Sequence, residues 1–245
     1  PENGLVSTYG REVAVSWMNA MLNGSPVIPR SGYLVEFNAL WYNALKFGQE
    51  IALETAAKEV ADTLEEKSRL AGNSFTETFL NDAGYLYDYV DGYYKDPNVR
   101  PNMIFAVSLP YSPLERGQKK SVIDFVTKEL LTACGIRSLT PKSDQFHPHY
   151  AGTENEKKLA YFNGMAFPWL LGPYIEAYLN VFHMSGLSLA DRIMMGMEGE
   201  MQNDCIGSIS EFYDPNPPFI AHGGYSFAMS VAELLRAHRI IRSFT

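Results

Sequence analysis

The chain has 245 residues and a mass of 27.5 kDa; 46% of it is hydrophobic and 20% charged, the composition of a folded globular protein rather than a disordered one. Its formal net charge of -8 and pI of about 5.2 exclude the cationic footprint that nucleic acid demands, and they fit a neutral ligand. No run of about 18 apolar residues is present to span a membrane. The opening PENGLVST lacks the basic and apolar regions of a signal peptide, so the expected location is cytoplasmic. Secretion stays open, because Pro1 is no natural initiator and the chain is expected to be trimmed or a fragment. Cys134 and Cys205 read as two buried free thiols, with a single disulfide the second reading. No zinc-type spacing occurs.

In chain order, the first helix is expected over residues 33–48, where Leu34, Phe37, Trp41, Ala44 and Leu45 recur at helical spacing. Residues 50–71 are rich in Ala, Glu, Lys and Leu, and Gly72-Asn73 reads as their stop before a short helix over 74–80. Tyr85 to Val90 alternates aromatic with other residues and reads as a short strand. Residues 117–134 place Val122, Phe125, Val126, Leu130 and Ala133 on one face, closed by Gly135. Residues 167–185 are apolar nearly all round, the mark of a buried helix. Two more helices are expected over 188–203 and 226–242.

Apolar and amphipathic helices thus alternate, and the expected fold is all-α. It is a single helical domain over residues 1–245, built from antiparallel hairpins in the manner of an alpha/alpha toroid with apolar inner helices. A six-hairpin ring at this spacing needs a longer chain. The expectation is therefore the C-terminal part of a larger ring, whose open side is met by a missing N-terminal portion or by self-association.

The segment from Trp17 to Leu45, WMNAMLNGSPVIPRSGYLVEFNALWYNAL, gathers Trp17, Arg30, Glu36, Asn38, Trp41 and Asn43. Such a mixture suits a sugar: aromatic faces cover the apolar side of a pyranose while amides and charges bind its hydroxyls. Four further segments accompany it. They are RPNMIFAVSLPYSPL at Arg100 to Leu114, GIRSL at Gly135 to Leu139, YFNGMAFPWLLGPY at Tyr161 to Tyr174, and ISEFYDPNPPF at Ile209 to Phe219 with MSVAELLR after it. In order and spacing the set resembles the glycogen debranching enzyme family, specifically its amylo-alpha-1,6-glucosidase domain.

The resemblance implies a glycoside hydrolase that removes glucose stubs at branch points by inverting hydrolysis of alpha-glucosidic linkages. It places the general base at Glu211, in a loop beside Phe212, Tyr213 and Asp214. It places the general acid at position 19, where the family carries Asp and this chain carries Asn19. An amide has no acidic proton to deliver. Loop acids at Asp82, Asp88, Asp91 and Asp214 have no motif behind them as substitutes. Phe162, Asn163, Phe167 and Lys157-Lys158 also depart from the family pattern, which reads as drift of the whole site. The alternative function is a catalytically impaired carbohydrate-binding protein on the same scaffold; a third is a helical module that only completes a larger assembly.

The remaining candidates for sugar hydroxyls and rings are Trp17, Arg30, Glu36, Asn38, Trp41, Asn43, Arg100, Asn102, Tyr161 and Asn163. Trp169 reads as core. The expected partner is an oligosaccharide or glycogen-like polysaccharide, with no nucleic acid, membrane, metal or cofactor. His147 and His149 in QFHPHY lack a third nearby ligand, and Gly223-Gly224 lacks the strand and spacing of a phosphate loop.

Overall fold

The computed structural model describes residues 2–244. After a looped N-terminal segment, β1 (Met21–Leu22) and β2 (Ser25–Pro26) form a small hairpin that turns at Asn23-Gly24, both at positive φ. β3 (Tyr33–Leu34) runs directly into α1 (Val35–Glu54), which buries Val35, Ala39, Leu45 and Ala52. α2 (Lys58–Phe79) packs back along it. The expected stop at Gly72-Asn73 is not used. Gly72 faces the Tyr42 ring, where a Cβ would lie 3.0 Å from the ring edge, so the glycine serves close helix packing. The buried row Ser68, Ala71, Phe75 and Phe79 continues straight through it.

β4 (Tyr89–Asp91) and β5 (Tyr94–Lys95) then form a hairpin on β3. A short helix α3 (Phe105–Ser108) leads to α4 (Arg116–Glu129), which starts at a reciprocal cap between Glu115 and Gln118. β6 (Ile136–Arg137), α5 (Glu154–Tyr161) and β7 (Ala166–Phe167) lead into α6 (Leu171–Phe182), where Leu171, Tyr174, Ile175 and Leu179 are fully buried. α7 (Leu187–Glu200), β8 (Phe212–Tyr213), β9 (Ala221–His222) and α8 (Ala228–Ser243) complete the chain. One apolar core runs from Leu5 to Ile241 through all the long helices. No helix among the described residues is long and apolar enough to cross a membrane.

The fold class is mixed α/β, which corrects the all-α toroid expected from the sequence. About half the chain is helical, and among the described residues three antiparallel sheets accompany the helices: β1-β2, β3-β4-β5 and β6-β7-β8-β9. The physical reason is strand length. Each strand is two or three residues long, too short to write a period-two pattern into the sequence. In the four-stranded sheet, where β7 and β8 are buried, the pairing arises because buried chain must satisfy its N–H and C=O groups, and short ladders do so.

The four-stranded sheet joins distant segments by register: Ile136 opposite Phe167, Ala166 opposite Tyr213, and Phe212 opposite His222. Side chains alternate across a strand, so Ile136, Phe167, Phe212 and His222 share one face. Phe167, Phe212 and Ile136 are buried. Removing each of these large side chains from water stabilises the sheet by roughly 1.5–3 kcal/mol.

Candidate active site

Arg30 leaves the loop before β3 and is 2% exposed. Its guanidinium forks onto two carboxylates. Nε donates to Asp88 Oδ2 at 2.6 Å and Nη2 to Asp88 Oδ1 at 3.1 Å, while Nη1 and Nη2 donate to the two oxygens of Glu36, the latter at 2.6 Å. Burial opposes the charge, but Asp88 and Glu36 more than offset it and raise the guanidinium above its ordinary pKa. Asp88 also accepts from Asn102 Nδ2 at 2.7 Å, and Asn102 Oδ1 accepts from Trp17 Nε1 at 2.6 Å. A continuous chain of bonds from Glu36 in α1 therefore orients the Trp17 indole.

Trp17 in turn meets Phe162, Phe167 and Trp169 at right angles, with centroids 5.2, 5.3 and 5.1 Å away. Tyr161 stands at 4.4 Å from Phe162 and 4.8 Å from Phe212, and Phe167 at 5.7 Å from Phe212. These rings make an aromatic patch with Trp17 at one edge and Tyr161 at the other.

Glu211 sits at the Tyr161 edge and is half-buried. The Tyr161 hydroxyl donates to Oε1, and the Gly224 N–H donates to Oε2 at 2.8 Å. Gly223 makes room for this: it has φ +79°, and a Cβ there would lie 2.4 Å from Glu211 Oε2. Burial and then the Glu211 carboxylate push the Tyr161 phenol well above its ordinary pKa, so it stays a donor. Arg100, 1% exposed, clamps the turn after α5. It donates to Phe162 O at 2.8 Å, Ser138 O at 3.1 Å and Asn163 Oδ1 at 2.9 Å. Burial lowers its pKa against the pull of Asp88 and Asp96.

Contacts thus connect Trp17, Arg30, Glu36 and Asn102 in one network, and Arg100, Asn163, Tyr161 and Glu211 in a second. The aromatic patch joins the two. Asn19 is exposed two residues beyond Trp17, with its N–H on Trp17 O at 3.0 Å. Asn38, Trp41 and Asn43 bond elsewhere. Asn38 holds the backbone of Val6, Trp41 Nε1 donates to Gly4 O at 3.0 Å, and Asn43 Oδ1 accepts from Tyr111 N at 3.1 Å.

Of the loop acids, Asp88 is committed to Arg30, Asp91 pairs with Arg11 at 2.7 Å, and Asp82 is exposed just past α2. Asp214, 3% exposed, lies three residues from Glu211. It accepts from Tyr150 N at 2.9 Å and meets His222 Nε2 at 3.0 Å. His149 approaches the same carboxylate at 3.5 Å, whereas His147 Nδ1 meets Gln145 O at 2.8 Å, so the two histidines of QFHPHY have different partners. Among the described residues no group of three His, Cys, Asp or Glu is arranged to hold a metal ion.

Sequence reasoning missed Asp88 as the hub of the Arg30 network and the Gly224 amide as a ligand to Glu211. The Gly223-Gly224 pair was the available signal for the second. Nothing local marks Asp88, whose partners lie 58 and 14 residues away.

The family pattern for amylo-alpha-1,6-glucosidase matches residues 1–236. Among solved structures the fold is similar to that of an uncharacterized conserved protein from Thermus thermophilus (TM-score 0.61, 18% identity, 86% of this chain and 47% of that one). It is also similar to the GH63 mannosylglycerate hydrolase of the same organism in complex with glucose (TM-score 0.59, 17% identity, 84% and 48%). A third likeness is to the neutral trehalase of Saccharomyces cerevisiae (TM-score 0.63, 13% identity, 92% and 42%). The chain spans under half the length of each. No curated protein matches it in sequence.

Proposed function

The chain belongs to the amylo-alpha-1,6-glucosidase family, and from that membership we propose that the surface between Trp17 and Glu211 is a glycoside hydrolase site. Its ligand is the terminal glucosyl unit of a branched oligosaccharide or glycogen-like polysaccharide. The observation that carries this reading is the Glu211 carboxylate, held by the Tyr161 hydroxyl and the Gly224 amide at the rim of an aromatic patch. The half-buried rings of Trp17 and Tyr161, backed by the buried Phe162, Phe167 and Phe212, offer the apolar face of a pyranose a surface, and a fixed carboxylate offers a water its base.

Each oxygen of Glu211 accepts one donor from the protein and keeps a further lone-pair direction for water. A water bound there attacks the anomeric carbon as the bond to the leaving oxygen breaks. Its proton passes to Glu211, and configuration at the carbon inverts. The leaving alkoxide takes its proton from solvent water. Asn19, at the family's acid position, has none to give, so the reaction forgoes a contribution of about 10²–10⁴-fold. Turnover is correspondingly slow while binding is retained. A saccharide-binding protein without turnover is the second reading, and the Asn19 amide is the observation that favours it.

Glucose release from isomaltose and panose, measured beside calorimetric binding of glucose, tests the proposal. Slow release that Glu211→Gln abolishes supports hydrolysis, and binding without release supports the second reading. Absence of both overturns the site.

A further inference from the structure

Five of the chain's 15 tyrosines collect at one edge of the fold. Tyr33 lies on β3, Tyr89 and Tyr94 on the hairpin paired with it, Tyr93 in the two-residue turn of that hairpin, and Tyr9 on the segment bridged to Gly32 through Thr8. Two of them, Tyr9 and Tyr33, line a groove of about 470 Å³ together with Thr8, Arg11, Gly32 and Asp91. The Tyr9 ring is 92% exposed and Tyr93 is fully exposed, so their faces are bare of protein. Scattered exposed rings are ordinary; Tyr9 and Tyr33 instead share one concavity with the Thr8 hydroxyl and the Arg11–Asp91 pair.

The groove carries no uncompensated charge of its own. Arg11 donates to Asp91 Oδ2 through Nε at 3.0 Å and Nη2 at 2.7 Å, which neutralises the pair and still leaves guanidinium donors and the Oδ1 acceptor on the surface. An aromatic wall beside a neutral fork of donors and acceptors matches a neutral polyhydroxylated ligand and offers nothing to an anion or a polycation.

Position adds a second argument. Gly32-Tyr33 continue the chain from Arg30, and Tyr89 to Asp91 continue it from Asp88, the buried pair behind Trp17 in the candidate site. At about 3.3 Å per extended residue the groove begins roughly 7–10 Å from that pair, and the intervening β3–β4 ladder fixes its placement.

We propose that the Tyr9 groove is a second saccharide subsite, which takes a neutral oligosaccharide segment remote from the glucosyl unit at Glu211. The ligand class rests on the glycosidase reading above; the existence of the groove as a separate site does not.

The test is calorimetric titration of maltoheptaose, with glucose as the short control, into the chain and three variants: Tyr9→Ala, Tyr9→Phe and Glu211→Gln. Tyr9 is exposed, so its variants keep the fold, which circular dichroism verifies. Tyr9→Ala is expected to weaken maltoheptaose about tenfold while leaving glucose unchanged, and Tyr9→Phe, which keeps the ring, is expected to retain affinity. Equal maltoheptaose affinity in all forms, or no maltoheptaose binding by the unaltered chain, overturns the groove. Loss of maltoheptaose with Tyr9→Ala, together with neither glucose binding nor glucose release by the unaltered chain, keeps the groove and removes the active-site reading instead.

Discussion

Tyr161 donates its hydroxyl to Glu211 across 50 residues of sequence, and the same ring packs edge-on against Phe162, Phe167 and Phe212. The bond and the packing separate cleanly, because phenylalanine would keep the ring and lose only the donor. Tyr161→Phe is therefore expected to leave the thermal midpoint within a few degrees. In an Asn19→Asp background it should lower kcat about tenfold, since an unanchored carboxylate spends less time aligned with its water. Parallel measurement of Tm and glucose release checks this; an equal fall in both would show a purely structural tyrosine.

On the proposed reading, the exposed amide of Asn19 limits the chemistry and leaves binding intact. Asn19→Asp is expected to raise hydrolysis of alpha-1,6-linked glucosides by up to about 10²–10⁴-fold, the range general acids supply. Recovery is expected to stop short of that ceiling, because Phe162 and Phe167, both buried against Trp17, close that side of the site with apolar rings. Steady-state kinetics with isomaltose reads the gain, and a variant no faster than the parent would show that the acid is not what the site lacks.

Arg30 holds two carboxylates that are themselves 5% exposed or less. Arg30→Met leaves Glu36 and Asp88 buried without their cation, a change expected to cost about 3–5 kcal/mol of folding stability. Urea unfolding would detect it. Loss of the Asp88–Asn102–Trp17 chain should also raise Trp17 mobility, seen as a change in tryptophan fluorescence before unfolding begins.

Glu129, at the end of α4, tests the acid response. Burial alone would raise its pKa, but Lys142 Nζ at 2.6 Å and Thr140 Oγ1 at 3.1 Å bring it below the ordinary value. A carboxyl whose folded pKa is depressed adds stability that is present above the unfolded pKa of about 4.3 and is lost as pH falls through the folded value. Glu129→Gln is thus expected to cost about 1 kcal/mol at pH 7, a modest figure because Lys142 is 71% exposed, and less at pH 3. Unfolding curves at the two pH values check the sign; a larger loss at pH 3 would contradict it.

The sequence by itself determined the chemistry on offer and the family. The order and spacing of five motifs carried both, along with most helices, because a periodicity of 3.6 repeated over three or more turns is visible in one dimension. Residues 187–200 and 228–243 lie within a few positions of where that periodicity placed them. Most of the sheets were hidden because two-residue strands have no period; the alternation of Tyr85 to Val90, which overlaps β4 at Tyr89-Val90, was the exception. The helix stop at Gly72 was misread because Gly72 faces Tyr42, a neighbour 30 residues back that no local window includes. Only the tertiary structure decided which candidates meet. Trp17 and Asn102 are 85 residues apart, Arg30 and Asp88 58, and Tyr161 and Glu211 50. Such contacts depend on the register of β6 to β9 and the packing of α1 on α2, which are properties of the whole core. That is also why Asn38 and Asn43, equal to Glu36 as sequence candidates on the same helix, bond to the N-terminal segment and to Tyr111 while Glu36 bonds to Arg30.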